Sequence, residues 1–231
     1  MSAKSAPLRP TPRLYLATPV VDDPARIMTP LADALASADV AAVLMRLSPS
    51  DPRTIMSRIK ALAPLIQNSG AALVLDGHAD LVARCGADGA HLTGIEALQE
   101  TLPALKPDRI VGVGGLPTRH DSMVAGETGA DYVLFGEPDK TGDRPFAEAI
   151  TDRLAWWAEL FELPCVVHAA NLNEAQVFAA SGADFVLVDD IVWNDPRGAA
   201  AALADIATAI CQGYGSLGSA QRADHPNRDA G

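Results

Sequence analysis

Cysteine is scarce in this 231-residue chain, basic residues are outnumbered, and aromatics make up only 5% of it. Each shortage excludes something. Cys85, Cys165 and Cys211 are an odd number with no C-x-x-C spacing, which argues against a disulfide framework or a zinc site and suits a reducing compartment. Against 29 Asp and Glu stand 18 Lys and Arg, a formal net charge of −11. So acidic a chain lacks the basic footprint that phosphate-backbone binding requires, and nucleic acid is not an expected partner. No stretch approaches the roughly 20 apolar residues of a membrane span, and Met1 to Pro10 contain no apolar core of signal-peptide length. The expectation is a cytoplasmic protein with a small-molecule ligand, since a local site can oppose the global charge.

What is present is an alternation. Eight short runs rich in Val, Leu and Ala occur at 13–18, 40–46, 71–76, 88–92, 109–113, 131–135, 165–168 and 184–188. Nearly continuous apolar runs of this length suit parallel strands buried on both faces. Between them lie Ala/Leu-rich amphipathic stretches such as 25–36 and 52–68, and Asn173 is placed to cap a helix over 174–180. The pattern predicts a single-domain (β/α)8 barrel, with a doubly wound open sheet as the alternative. The domain spans 13–212, a flexible arm covers 1–12, and a polar, Gly-rich tail is expected to stay loose over 213–231.

A second regularity has twice that period. Ser37-Ala-Asp39, Gly86-Ala-Asp88, Gly129-Ala-Asp131 and Gly182-Ala-Asp184 stand just before the second, fourth, sixth and eighth runs. In three of them Gly can end a helix in the left-handed conformation before the chain enters a strand. The Ser37 helix must end another way.

In such a barrel, chemistry gathers at the C-terminal strand ends. Thr18, Arg46, Asp76, His91, Gly112 to Gly115, Gly136 to Arg144, His168 and the pair Asp189-Asp190 occupy those positions. His168 with Asp189 could form an Asp–His pair able to move a proton near neutral pH. Trp156-Trp157 lies on a predicted helix and suits either a cover for the barrel or a homo-oligomer contact.

The stretch Asp76-Gly-His-Ala-Asp80-Leu-Val-Ala-Arg-Cys-Gly86-Ala-Asp88-Gly89-Ala-His91-Leu92 resembles the block N-D-x-x-D-L-A…G-A-D-G-x-H-x-G of the thiamin phosphate synthase/TenI family. Gly129-Ala-Asp-Tyr-Val-Leu-Phe-Gly136 and Gly182-Ala-Asp-Phe-Val-Leu-Val are similar to its later strands. The resemblance independently implies a (β/α)8 barrel. It also implies Mg²⁺-dependent coupling of hydroxymethylpyrimidine pyrophosphate to thiazole phosphate, or TenI-type thiazole tautomerisation. It places Arg46, Asp76, His91, Gly136, Thr141 and Arg144 at the phosphorylated pyrimidine or thiazole, and Asp76 with Glu96 at the metal. The chain departs from the family at several phosphate-holding positions. Q-x-R-x-K keeps only Arg46, the N-D pair becomes Asp76-Gly77, Gly-Gly becomes Ala169-Ala170, and a serine becomes Asp190. The functional expectation is a family barrel with impaired synthase turnover, or a non-catalytic or repurposed TenI-like ligand-binding barrel.

Overall fold

The computed structural model describes residues 10–139 and 141–223, with side chains through Ser216. In chain order its elements are β1 (Arg13–Ala17), α1 (Pro24–Ser37), β2 (Val40–Met45), α2 (Pro52–Asn68), β3 (Ala72–Asp76), α3 (Val82–Cys85), β4 (Gly89–Thr93), α4 (Ile95–Leu105), β5 (Ile110–Gly114), α5 (Arg119–Thr128), β6 (Tyr132–Phe135), α6 (Ala147–Leu160), β7 (Cys165–His168), α7 (Leu172–Ala180), β8 (Phe185–Val188), α8 (Asp190–Trp193) and α9 (Ala199–Ala223). The strands close in sequence order into an eight-stranded parallel barrel, β8 pairing with β1. The open-sheet alternative is excluded.

Strand periodicity of two divides the core. Leu14, Leu16, Val43, Leu73, Val111, Val133 and Val186 face outward into one large apolar cluster with the helices. Tyr15, Ala17, Leu44, Val74, Tyr132, Leu134, Val166 and Leu187 fill the barrel interior. Gly112 belongs to this inner layer, and it is glycine for a packing reason, not to shape a loop. A Cβ there would lie 1.9 Å from Cζ of Tyr132, so the phenol ring rests directly on the β5 backbone.

The period-two-unit repeat has a role beyond helix termination. Gly86, Gly129 and Gly182 adopt the left-handed conformation with φ of 71°, 110° and 99°. The aspartate two residues later then clamps the neighbouring odd strand. Asp88 donates its N–H to Leu73 O and accepts Leu73 N–H on Oδ2; Asp131 does the same with Val111, and Asp184 with Cys165. The first quarter differs. Ser37 Oγ donates back to Ala34 O at 2.7 Å, and Asp39 takes the Arg13 guanidinium at 2.9 and 3.1 Å on the exposed surface.

Two expectations need correction. The cap of α7 is Asn171, whose side chain accepts Glu174 N–H at 2.9 Å, and Asn173 lies inside the helix. The chain does not loosen at Gly213, because α9 runs on to Ala223. Gly213 is used for close approach to α7: a Cβ would stand 2.0 Å from Gln176 O. Packing against α7 offsets the ordering entropy that composition alone suggested would win. The remaining tail, 224–231, and most of the expected N-terminal arm, 1–9, lie outside the described residues. Trp157 is fully buried and stacked on Phe161 at 4.2 Å, so that member of the tryptophan pair belongs to the core.

The carboxylate clamps should carry stability. Asp184→Ala strands the Cys165 N–H and is expected to cost about 1–3 kcal/mol. Asp39→Ala removes only an exposed ion pair and should cost under about 1 kcal/mol. Urea denaturation midpoints check this; equal costs would refute the distinction.

Candidate functional site

Arg46, Asp76, His168 and Asp189 each follow an inward residue by two positions: Leu44, Val74, Val166 and Leu187 respectively. The same alternation that fills the barrel therefore delivers them to its mouth. There they line a cavity of about 600 Å³, with Ala17, Leu44, Leu134 and Leu187 as its apolar floor. His91, Glu137 and Asp139 complete the polar wall. Four carboxylates thus face one guanidinium.

Arg46 is held from three sides. Its backbone N–H donates to Thr18 Oγ1 at 3.0 Å, its Nε to Thr18 O at 2.5 Å, and a terminal nitrogen to Asp189 Oδ2 at 3.3 Å. Its ion-pair partner is Asp189, not Asp76. The other oxygen of Asp189 meets His168 Nε2 at 3.0 Å. Burial works to raise the Asp189 pKa, but the His168 hydrogen bond and the nearby charges hold it at about 2. An ionised Asp189 accepts from Nε2, which leaves Nδ1 as the other nitrogen of the His168 ring. That Nδ1 is buried without a hydrogen-bond partner, as is Glu137 Oε2. Asp190 is exposed at the start of α8 and stays out of the mouth.

Asp76 accepts no hydrogen bond from the described residues, and burial raises its carboxyl above the usual range against the fields of Arg46 and His78. Burial likewise raises Glu137, although its other oxygen accepts the Gly115 N–H.

Beneath them runs a buried chain of hydroxyls. Tyr15 and Tyr132 share a hydrogen bond at 2.9 Å, and Tyr132 meets His91 Nδ1 at 3.0 Å. Burial keeps both phenols protonated. The direction Tyr15 to Tyr132 to Nδ1 uses both hydroxyl protons and leaves Nε2–H of His91 as a donor at the mouth. Gly114 makes room for it, since a Cβ there would sit 3.0 Å from His91 Nε2 and 2.2 Å from Glu137 Oε1.

Other expected site residues lie elsewhere. Arg144 donates to Gly136 O at 3.0 Å, Glu174 Oε2 at 2.8 Å and His168 O at 3.0 Å, on a neighbouring cavity of about 530 Å³ that also includes Gly136. Thr141 is exposed, its hydroxyl given to Asp139 at 2.6 Å and Asp143 at 3.1 Å. Glu96 is exposed on the first turn of α4 and does not line the mouth cavity. No group of three or more potential metal ligands occurs among the described residues. Sequence reasoning missed Tyr132 and Glu174, and it included Glu137 only within the stretch Gly136 to Arg144, whose acidic residues read as solvated; the structure buries Glu137 in the mouth wall. Only Glu174 had a local signal, the helix-start spacing Asn171-x-x-Glu174.

Burial also lowers the His91 pKa from 6.5 to about 4. The unfolded chain then takes up a proton that the folded one refuses, so stability is lost as pH falls from about 6.5 to about 4. The loss should be about 3 kcal/mol. An NMR titration should place the His91 midpoint near 4; an ordinary midpoint would refute this.

Comparison with known proteins agrees with the geometry. The family profile described as thiamine monophosphate synthase matches residues 14–191. A thiamine-phosphate synthase of Rhodospirillum centenum is 41% identical over 196 residues, covering 84% of this chain and 95% of its own. One from Hyphomonas neptunium is 35% identical over 206 residues, covering 84% and 92%. Among solved structures, the thiamine phosphate pyrophosphorylase of Pyrococcus furiosus shares the fold with a TM-score of 0.73 at 21% identity, covering 87% of this chain and 96% of that one. Barrel, mouth and relatives together place the chain in the thiamine monophosphate synthase family.

Proposed function

We propose that the barrel mouth binds the heterocycle of a phosphorylated pyrimidine or thiazole, and that conventional coupling to thiamin phosphate is slow or absent. The carrying observation is Glu174. In barrels of this kind, phosphate is commonly held by loops after the last two strands and the N-terminus of a short extra helix. Here Glu174 Oε2 accepts the Ala170 N–H at 3.0 Å and the Arg144 guanidinium at 2.8 Å. The chain's own carboxylate thus takes a backbone N–H and the arginine that a phosphate would use. Asp190 adds an acidic side chain in the first turn of the short α8.

The ring would lie on the apolar floor, with Arg46 and the His91 Nε2–H at its edge. Asp76 fits Mg²⁺, which takes one or two protein carboxylates plus ligand oxygens; Glu96 does not share the cavity. Bound there, Mg²⁺ would neutralise charge on the ligand. The three cysteines are free, which supports a reducing, cytoplasmic setting, and no helix among the described residues is long and apolar enough to cross a membrane.

A second reading, favoured by the 3.0 Å His168–Asp189 contact, is proton transfer. Asp189 orients the imidazole, and Nδ1 removes a proton from the ligand and returns it. An activity of this kind would vanish in His168→Ala.

Calorimetric titration with pyrophosphate, with and without Mg²⁺, separates these readings from a conventional synthase. The wild type is expected to show no micromolar binding. Glu174→Ala frees Arg144 and the Ala170 N–H and should tighten binding by about tenfold, as one regained charge-assisted hydrogen bond would. Micromolar binding and coupling turnover by the wild type would overturn the proposal.

A further inference from the structure

Away from the mouth, α5 and α6 present a face that combines exposed apolar side chains with unpaired donors. On α6, Phe146 at the N-cap, Arg153, Trp156 and Leu160 recur at helical spacing along one side. Arg119 and Met123 stand one turn apart on α5. The two helices meet at Gly126, where an added Cβ would lie 3.3 Å from Leu163 and 4.0 Å from the Trp157 ring. Across the groove the Arg119 guanidinium rests over the Trp156 ring at 4.8 Å. Phe146 is 85% exposed, Leu160 60% and Met123 37%. None of these residues lines the mouth cavity.

The polar groups of this face are donors that the chain's own acids do not take. Arg119 makes no hydrogen bond or ion pair among the described residues, and its contact is the Trp156 ring. Arg153 gives its two terminal nitrogens to Leu116 O and Pro117 O, each at 2.8 Å. Asp121 and Glu137 are the acids whose fields reach Arg153. Both are committed elsewhere: Asp121 closes the cap of α5 with Thr118, and Glu137 accepts the Gly115 N–H. The Trp157 indole donates to Leu163 O and that of Trp193 to Ala17 O, whereas the Trp156 N–H has no acceptor among the described residues. In a chain with 29 acidic residues, neighbouring guanidiniums left without a carboxylate are open to one from outside.

The occupant follows from what the face offers. A free anion would leave Phe146, Met123 and Leu160 in water. A nucleic acid would set a run of phosphates against a chain of net charge −11. A second copy, docked across a twofold axis, would turn these guanidiniums toward their own images. We infer that the α5–α6 face docks a segment of a partner protein in which Asp or Glu flanks an aromatic or aliphatic side chain. Its carboxylates meet Arg119, Arg153 and the Trp156 N–H, and its apolar side chain covers Met123 with Phe146 or Leu160. Trp, Phe, Met and Arg are the residues in which interfaces are enriched, and Trp and Arg are where binding energy concentrates.

The test uses the full-length protein and two short peptides, one with glutamates on either side of a phenylalanine and one with glutamines in their place. In a nitrogen-resolved NMR titration the acidic peptide should move the Trp156 indole signal and leave those of Trp157 and Trp193 in place. It should bind at least about tenfold tighter than the glutamine peptide, the difference one charge-assisted hydrogen bond makes, and weaken as salt is raised. Arg119→Ala removes an exposed side chain with no hydrogen bond, so the fold should survive it, as circular dichroism would verify; most of the preference should be lost. Equal affinity for the two peptides, an unmoved Trp156 signal or no binding would overturn the inference. So would sedimentation showing a dimer that Phe146→Ser dissolves, which would assign the face to a second copy instead.

Discussion

The Arg46 guanidinium and the His168 imidazole converge on the two oxygens of Asp189. That convergence fixes the electrostatics of the barrel mouth. It spends the one arginine of the cavity on an internal carboxylate and decides which nitrogen of His168 carries the proton. Because Asp189 is mostly buried, removing either partner would leave a desolvated charge short of compensation. Two strand ends on opposite sides of the β1–β8 junction are thereby tied together, with Trp193 of α8 closing the same corner through its hydrogen bond to Ala17 O at 2.7 Å.

A second carboxylate, Glu174, does the same for the neighbouring corner, drawing Arg144 onto the start of α7. The two arginines that the family resemblance assigns to phosphate are thus both engaged by the protein's own acids. Charge matching within the chain leaves neither guanidinium without a carboxylate partner.

The barrel was legible because its strands are buried on both faces and short, so each one shows as an apolar run with a glycine or polar break on either side. All eight runs coincide with strands to within a residue or two. The repeat was legible as a spacing, but only half of its meaning was. The glycine conformation follows from local backbone preference, whereas the aspartate clamp depends on a strand about 20 positions earlier in the chain. The site residues divide along the same line. Arg46, Asp76, His168 and Asp189 sit on strands, where period two fixes the facing once the inner layer is known. Glu137, Thr141, Arg144 and Glu174 sit in loops or helix starts, where no period applies. Their partners were set by tertiary contacts that no local pattern encodes. Gly213 misled for a related reason: glycine marks a loose tail and a close helix crossing equally well.

The seat that Gly112 provides for the Tyr132 ring binds the histories of two positions together. A larger residue at 112 is admissible only in a chain whose residue 132 has already lost its ring. Losing that ring also removes the hydroxyl that orients His91. The route by which such a barrel could diversify its interior therefore has a forced order: the donor at the mouth must be surrendered before β5 gains a side chain. Descendants that keep glycine at this position retain the oriented histidine as a by-product of packing.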